Sequence, residues 1–78
     1  NNELIEIKNR RNHLFTFIPE YEKIQTEIYL RLTNLKKGKL IQNYNETQSS
    51  FDLAIDNKLW DMIISELKKV SYNIINEL

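Results

Sequence analysis

One glycine, Gly38, and one proline, Pro19, are the only residues of their kinds among 78. These two types punctuate local structure most strongly, so a chain with so few of them has few enforced breaks and is free to be largely helical. The strongest periodicity agrees. Tyr21, Ile24, Ile28, Leu32 and Leu35 recur at intervals of three and four, the spacing of one helical face. Pro19 stands where a first helical turn tolerates it, and Glu20 and Glu22 suit the positive end of the helix dipole.

The stretch Asn34–Leu40, NLKKGKL, crowds three lysines around the glycine. It reads as the end of that helix. Lys36 and Lys37 complement the exposed carbonyls of a last turn, and Gly38 offers the left-handed conformation common just beyond it. A phosphate-cradling loop needs several glycines after a strand and a Lys-Ser/Thr pair opening the next helix, and the stretch has neither.

The same reading places a first helix over Leu4–Ile18, with Leu4, Ile7, Leu14, Phe15 and Ile18 on one face and Arg11 within it. A third helix follows Gly38, carrying Leu40, Ile41, Tyr44, Gln48, Phe51 and Ile55. Asp56 or Asn57 caps a fourth, whose broad stripe runs through Leu59, Trp60, Ile63, Leu67, Val70, Ile74 and Leu78. The expected fold is all-α: a small antiparallel bundle of three to four helices, forming one domain over residues 1–78 and consistent with a piece excised from a longer chain.

Eleven basic residues balance eleven acidic ones. The zero net charge removes the usual electrostatic argument for nucleic acid, leaving only a local cluster at Lys8, Arg10 and Arg11 to favour the alternative of a small nucleic-acid-binding or regulatory helical protein. The absence of cysteine excludes disulfides and thiolate metal sites and fits a reducing, cytoplasmic setting. No apolar run reaches membrane-spanning length. The single histidine, His13, has no second histidine or cysteine to complete a metal site, and its polar neighbours indicate a solvated face. Glu6 with Arg10, and Glu27 with Arg31, read as i,i+4 pairs that stabilise helices rather than as reaction chemistry. The expectation is therefore a non-enzyme with no cofactor and no metal.

Arg31, Leu32, Leu35, Gly38, Lys39 and Leu40, followed by Ala54, Ile55, Trp60 and Asp61, form a pattern over about half the chain. It resembles the helical domain shared by the steroid receptor RNA activator protein and the C-terminus of the COPII outer-coat scaffold protein. The resemblance implies a helical interaction module in a vesicle-coat or regulatory assembly, without catalytic residues. Three apolar residues lie off the expected stripes: Leu30, Met62 and Tyr72. They are the candidate contacts for a protein partner or for self-association.

Overall fold

The computed structural model describes residues 2–77, with side chains over 2–71. In chain order the elements are strand β1 (Leu4–Asn9), helix α1 (Glu20–Thr33), strands β2 (Lys37–Tyr44) and β3 (Thr47–Ala54), and helix α2 (Asn57–Glu77). The all-α bundle is thus corrected to an α/β fold, a three-stranded mixed sheet with two helices. The sheet order is β1-β2-β3. β1 runs parallel to β2, with Leu4 opposite Gly38 and Lys8 opposite Gln42. Parallel neighbours need a long crossover, and α1 supplies it. β2 and β3 form an antiparallel hairpin that turns at Asn45 and Glu46, with Asn45 at φ 53°.

The two segments read as helices but folded as strands share a physical cause. In β2 and β3, Leu40, Gln42, Phe51 and Leu53 alternate onto one sheet face, a period of two that also satisfies part of a helical template in so short a run. In β1, Leu4, Glu6 and Lys8 turn towards α1 and are half-buried, whereas Ile5 and Ile7 face away and are exposed. The strand thus carries its polar residues on the covered side, which conceals its alternation from any search for an apolar face.

The second expected helix is present. Pro19 occupies its N-cap, and its carbonyl accepts from the Glu22 and Lys23 amides. The left-handed residue at its end is Asn34, at φ 59°, rather than Gly38, and the Leu35 amide closes the turn on the Leu30 carbonyl. Gly38 instead lies inside β2, where it lets the parallel strand approach. A Cβ there would sit 2.8 Å from Leu4 Cβ and against the Leu4 carbonyl. The expected cap of the last helix also holds, since Asp56 Oδ1 accepts from the Leu59 amide.

The core lies between the sheet and α1, where Leu30, Leu40 and Leu53 are buried and Leu4, Ile18, Leu35, Phe51 and Ile55 pack around them. The face that α1 lays on the sheet is Glu22, Thr26 and Leu30, with Glu27 beside it. The apolar stripe read from the sequence lies mostly on the opposite side, where Ile24 and Ile28 meet Ile63 and Leu67 of α2 while Tyr21 and Leu32 remain exposed. α1 is therefore covered on two sides, by polar and apolar sectors. Arg11 is exposed in the loop after β1 and belongs to no apolar face.

Gly38→Ala should destabilise the domain by at least ~1–3 kcal/mol, because the added methyl meets backbone rather than a side chain that can swing aside. Denaturant unfolding measures this. A midpoint equal to wild type would mean that β1 and β2 do not approach as described.

Candidate functional site

The inward residues of β1 meet α1 in a chain of polar contacts. Lys8 Nζ donates to Gln25 Oε1 at 2.9 Å and lies 3.7 Å from Glu6 Oε1, and Gln25 Nε2 donates to the Tyr29 hydroxyl at 3.2 Å. The elements explain the convergence. Positions i and i+2 of a strand share a face, as do i and i+4 of a helix, so Glu6 with Lys8 and Gln25 with Tyr29 form two adjoining rows. An ammonium has only donors, so the Gln25 carbonyl must face Lys8 and its amide must face Tyr29. The Tyr29 oxygen then acts as acceptor in this chain, and its own proton is not used by Gln25. Glu6 and Lys8 are each 23% exposed, open enough to meet a ligand while held by neighbours.

A second cluster fixes the end of β1 and the loop that follows. Arg10 donates to both carboxylate oxygens of Glu22, at 2.6 and 2.9 Å, and through Nε to Gln42 Oε1 at 2.8 Å. Gln42 is fully buried and uses its whole capacity. Its oxygen also accepts from the Phe15 amide, and its nitrogen donates to the Phe15 carbonyl and to Ser49 Oγ. The Arg10 guanidinium lies 4.0 Å from the centre of the Phe15 ring. The hydrogen bonds from Arg10 hold the Glu22 carboxyl below its ordinary range, outweighing the opposing effect of burial, and the same bonds raise Arg10. The expected Glu6–Arg10 helical pair is replaced by these contacts. The Glu27–Arg31 pair forms as expected at 2.7 Å, although Glu27 is buried and also accepts from the Asp56 amide.

The expected contact residues do not come together. Leu30 is 1% exposed at the centre of the core, which corrects its assignment as an off-face residue: the sheet, absent from the expected architecture, covers it. Met62 is half exposed and lines an apolar groove between α1 and α2 with Ile24, Ile28 and Leu67. The Tyr72 side chain lies outside the described residues. His13 is exposed, as its neighbours indicated, with its ring edge-on to Phe15 at 5.4 Å. Sequence reasoning missed Glu6, Lys8, Gln25 and Tyr29. The signal that could have found them is a charged pair spaced by two within Leu4–Asn9, a short β-branched run that also suits a strand.

Among the described residues, no three histidine, cysteine or acidic side chains converge as a ready-made metal cage, and no helix is long and apolar enough to cross a membrane. The fold and its polar cluster define a small mixed-sheet α/β protein with a carboxylate–ammonium site on an edge strand. No family model, curated protein or solved structure matches the chain.

The Arg10–Glu22 pair should be felt in stability. Glu22→Leu strands a buried guanidinium and should lose about 3–5 kcal/mol at neutral pH, while Arg10→Met with Glu22→Leu should recover much of it. Because Glu22 is lowered in the folded protein, its contribution is fully present above the ordinary glutamate value of about 4.3 and is lost as pH falls through the folded value. The advantage of wild type over the double variant in thermal melts should therefore shrink in acid. A constant difference down to pH 2 would show that the pair does not act as described.

Proposed function

We propose that the chain carries part of the active site of a metal-dependent nuclease, with Glu6 and Lys8 as its catalytic residues. The observation that supports this most is Lys8 turned to the covered side of β1, held by Gln25 beside the half-buried carboxylate of Glu6. Surface ion pairs are common and contribute little. This one takes core-facing strand positions that apolar residues would fill more favourably, and its lysine is fixed by an amide that is itself held. Local rules are broken in this way where function requires it.

The donor chemistry narrows the reaction. A lone carboxylate with no thiolate or imidazole beside it suits a hard cation such as Mg²⁺, which is commonly bound by one or two carboxylates together with substrate phosphates and water. Such an ion supplies Lewis-acid polarisation of a phosphoryl oxygen and a more acidic water. Glu6 would anchor it. Lys8 places positive charge where negative charge grows on the phosphoryl oxygens during in-line displacement, and the fixed Gln25 keeps that charge in place without reorganisation. The Tyr29 hydroxyl, whose proton Gln25 does not use, would donate to a non-bridging oxygen. The zero net charge does not oppose this reading, because Glu22 neutralises Arg10 internally while Lys8 keeps its charge at the site and Arg11 is exposed in the loop that follows.

A second reading is favoured by the groove between α1 and α2, whose exposed Met62, Leu67 and Val70 suit a non-enzymatic interaction module binding a protein partner or a second copy. A vesicle-coat or regulatory assembly of the kind implied by the resemblance would belong to it. Either reading accords with a cytoplasmic, cysteine-free protein.

Cleavage of end-labelled DNA and RNA by the full gene product, with Mg²⁺ and with EDTA, separates the two. Glu6→Gln and Lys8→Met should each reduce Mg²⁺-dependent cleavage by about a hundredfold or more, in line with the loss of one charge-stabilising group. Their melting temperatures should stay close to wild type. Cleavage undiminished in both variants, or absent from wild type, would overturn the nuclease reading.

A further inference from the structure

The loop from Arg10 to Pro19 begins two residues beyond Lys8. It is built as a rigid platform. The Arg10 amide donates to the Asn43 carbonyl at 2.7 Å, the guanidinium is clamped by Glu22 and Gln42, and Gln42 holds both the amide and the carbonyl of Phe15. Phe15 is packed between Arg10 and His13. From this fixed base Phe17 projects 71% exposed, at the rim of a cleft of about 330 Å³ formed by His13, Phe15, Phe17 and Pro19.

A single exposed phenylalanine is ordinary. Here the ring stands two residues beyond Phe15, whose amide and carbonyl are tied to a fully buried glutamine, so less backbone freedom is lost when a flat partner stacks on it than on an untethered loop. The surrounding groups fit the same partner. His13 adds a second aromatic ring to the cleft. Arg11, outside the cleft lining but two residues before His13 in the same loop, is an exposed cation, and the loop continues directly from the strand that carries Lys8.

We propose that this loop holds one unpaired base of a single-stranded nucleic acid, stacked on Phe17 within the cleft, with Arg11 pairing a flanking phosphate. The proposal rests on the nuclease reading for its place beside the scissile bond. It names that site's substrate as a strand with an unstacked base, a single strand or an opened end. Aromatic stacking tolerates any base, so the loop selects for strandedness rather than sequence. Arg11 contributes a charge contact that is screened by salt.

The test uses fluorescence anisotropy of a short fluorescein-labelled oligothymidine, kept intact by EDTA, and the same oligonucleotide with abasic positions. Phe17→Ala should weaken binding of the oligothymidine by about ten- to a hundredfold while leaving the melting temperature unchanged. It should have little effect on the abasic strand. Phe17→Trp should keep the affinity and show indole quenching on binding beyond that of the wild type's Trp60. Arg11→Gln should lower the salt slope by about one. Oligothymidine binding by Phe17→Ala equal to wild type, wild-type preference for neither strand, or no binding by wild type would each overturn the proposal. Glu6→Gln should bind like wild type and fail to cleave. Cleavage lost in Glu6→Gln with binding unaffected by Phe17→Ala sinks the stacking proposal alone. Stacking intact with cleavage undiminished in both Glu6→Gln and Lys8→Met sinks the nuclease reading alone.

Discussion

The bidentate pair between Arg10 and Glu22, buried with Gln42, ties together every part of the domain except α2. Arg10 directly follows β1, Glu22 lies in the first turn of α1, Gln42 sits in the central strand, and Ser49 brings in β3. A buried ion pair is not in itself a source of large net stability, since its desolvation offsets most of its attraction. What it contributes is uniqueness. The guanidinium fork and the saturated amide of Gln42 accept one geometry, and a slipped register between β1 and β2 would leave charges buried without partners. Among the described residues no buried side-chain nitrogen or oxygen lacks a partner.

This clamp explains why the helix most legible in the sequence was legible for the wrong side. α1 could be found from the spacing of Ile24 and Ile28 and its start from Pro19, because those signals are local, whereas its end, read at Lys36–Gly38, falls earlier, at Thr33 with Asn34 as the left-handed cap. Which face it buries is not local. Glu22, Thr26 and Glu27 look like solvent-facing residues until Arg10 and the backbone amide of Asp56 are brought to them by the fold. Leu30 was assigned away from the core for the same reason, although it is the centre of it. The Asp56 cap was readable from sequence because the bond it makes spans three residues.

The strands were hidden by their inward polar residues and by their length. β1 reverses the usual alternation by placing Glu6 and Lys8 inward and Ile5 and Ile7 outward. The hairpin carries Gln42 and Ser49 at inward positions, where apolar residues would have announced a sheet, because both serve the clamp. Gly38, which looked like a helix stop, permits close parallel packing instead, a role visible only once Leu4 is known to lie opposite. The positions that defeated pattern reading are thus largely those of the polar cluster and its support.

One flank of α1 connects these observations. At 100° per residue, Tyr21, Gln25, Tyr29 and Leu32 fall within a sector of roughly 80°, between the face on the sheet and the face against α2. Tyr21 and Leu32 are the most exposed apolar side chains of the helix, at 67% and 77%, while Gln25 and Tyr29 lead down to Lys8. The uncovered flank of the helix is therefore the flank that overlooks Glu6 and Lys8. The loop carrying Phe17 leaves β1 beyond Lys8 and returns to the start of the same helix, one turn before Gln25. Strand, loop and helix flank are joined by the one clamp. On the proposed reading, a nucleic-acid strand lying along the flank would find its charge contacts on β1 and its stacking contact on the loop, with their spacing set by the Arg10–Glu22 bond rather than by ligand binding.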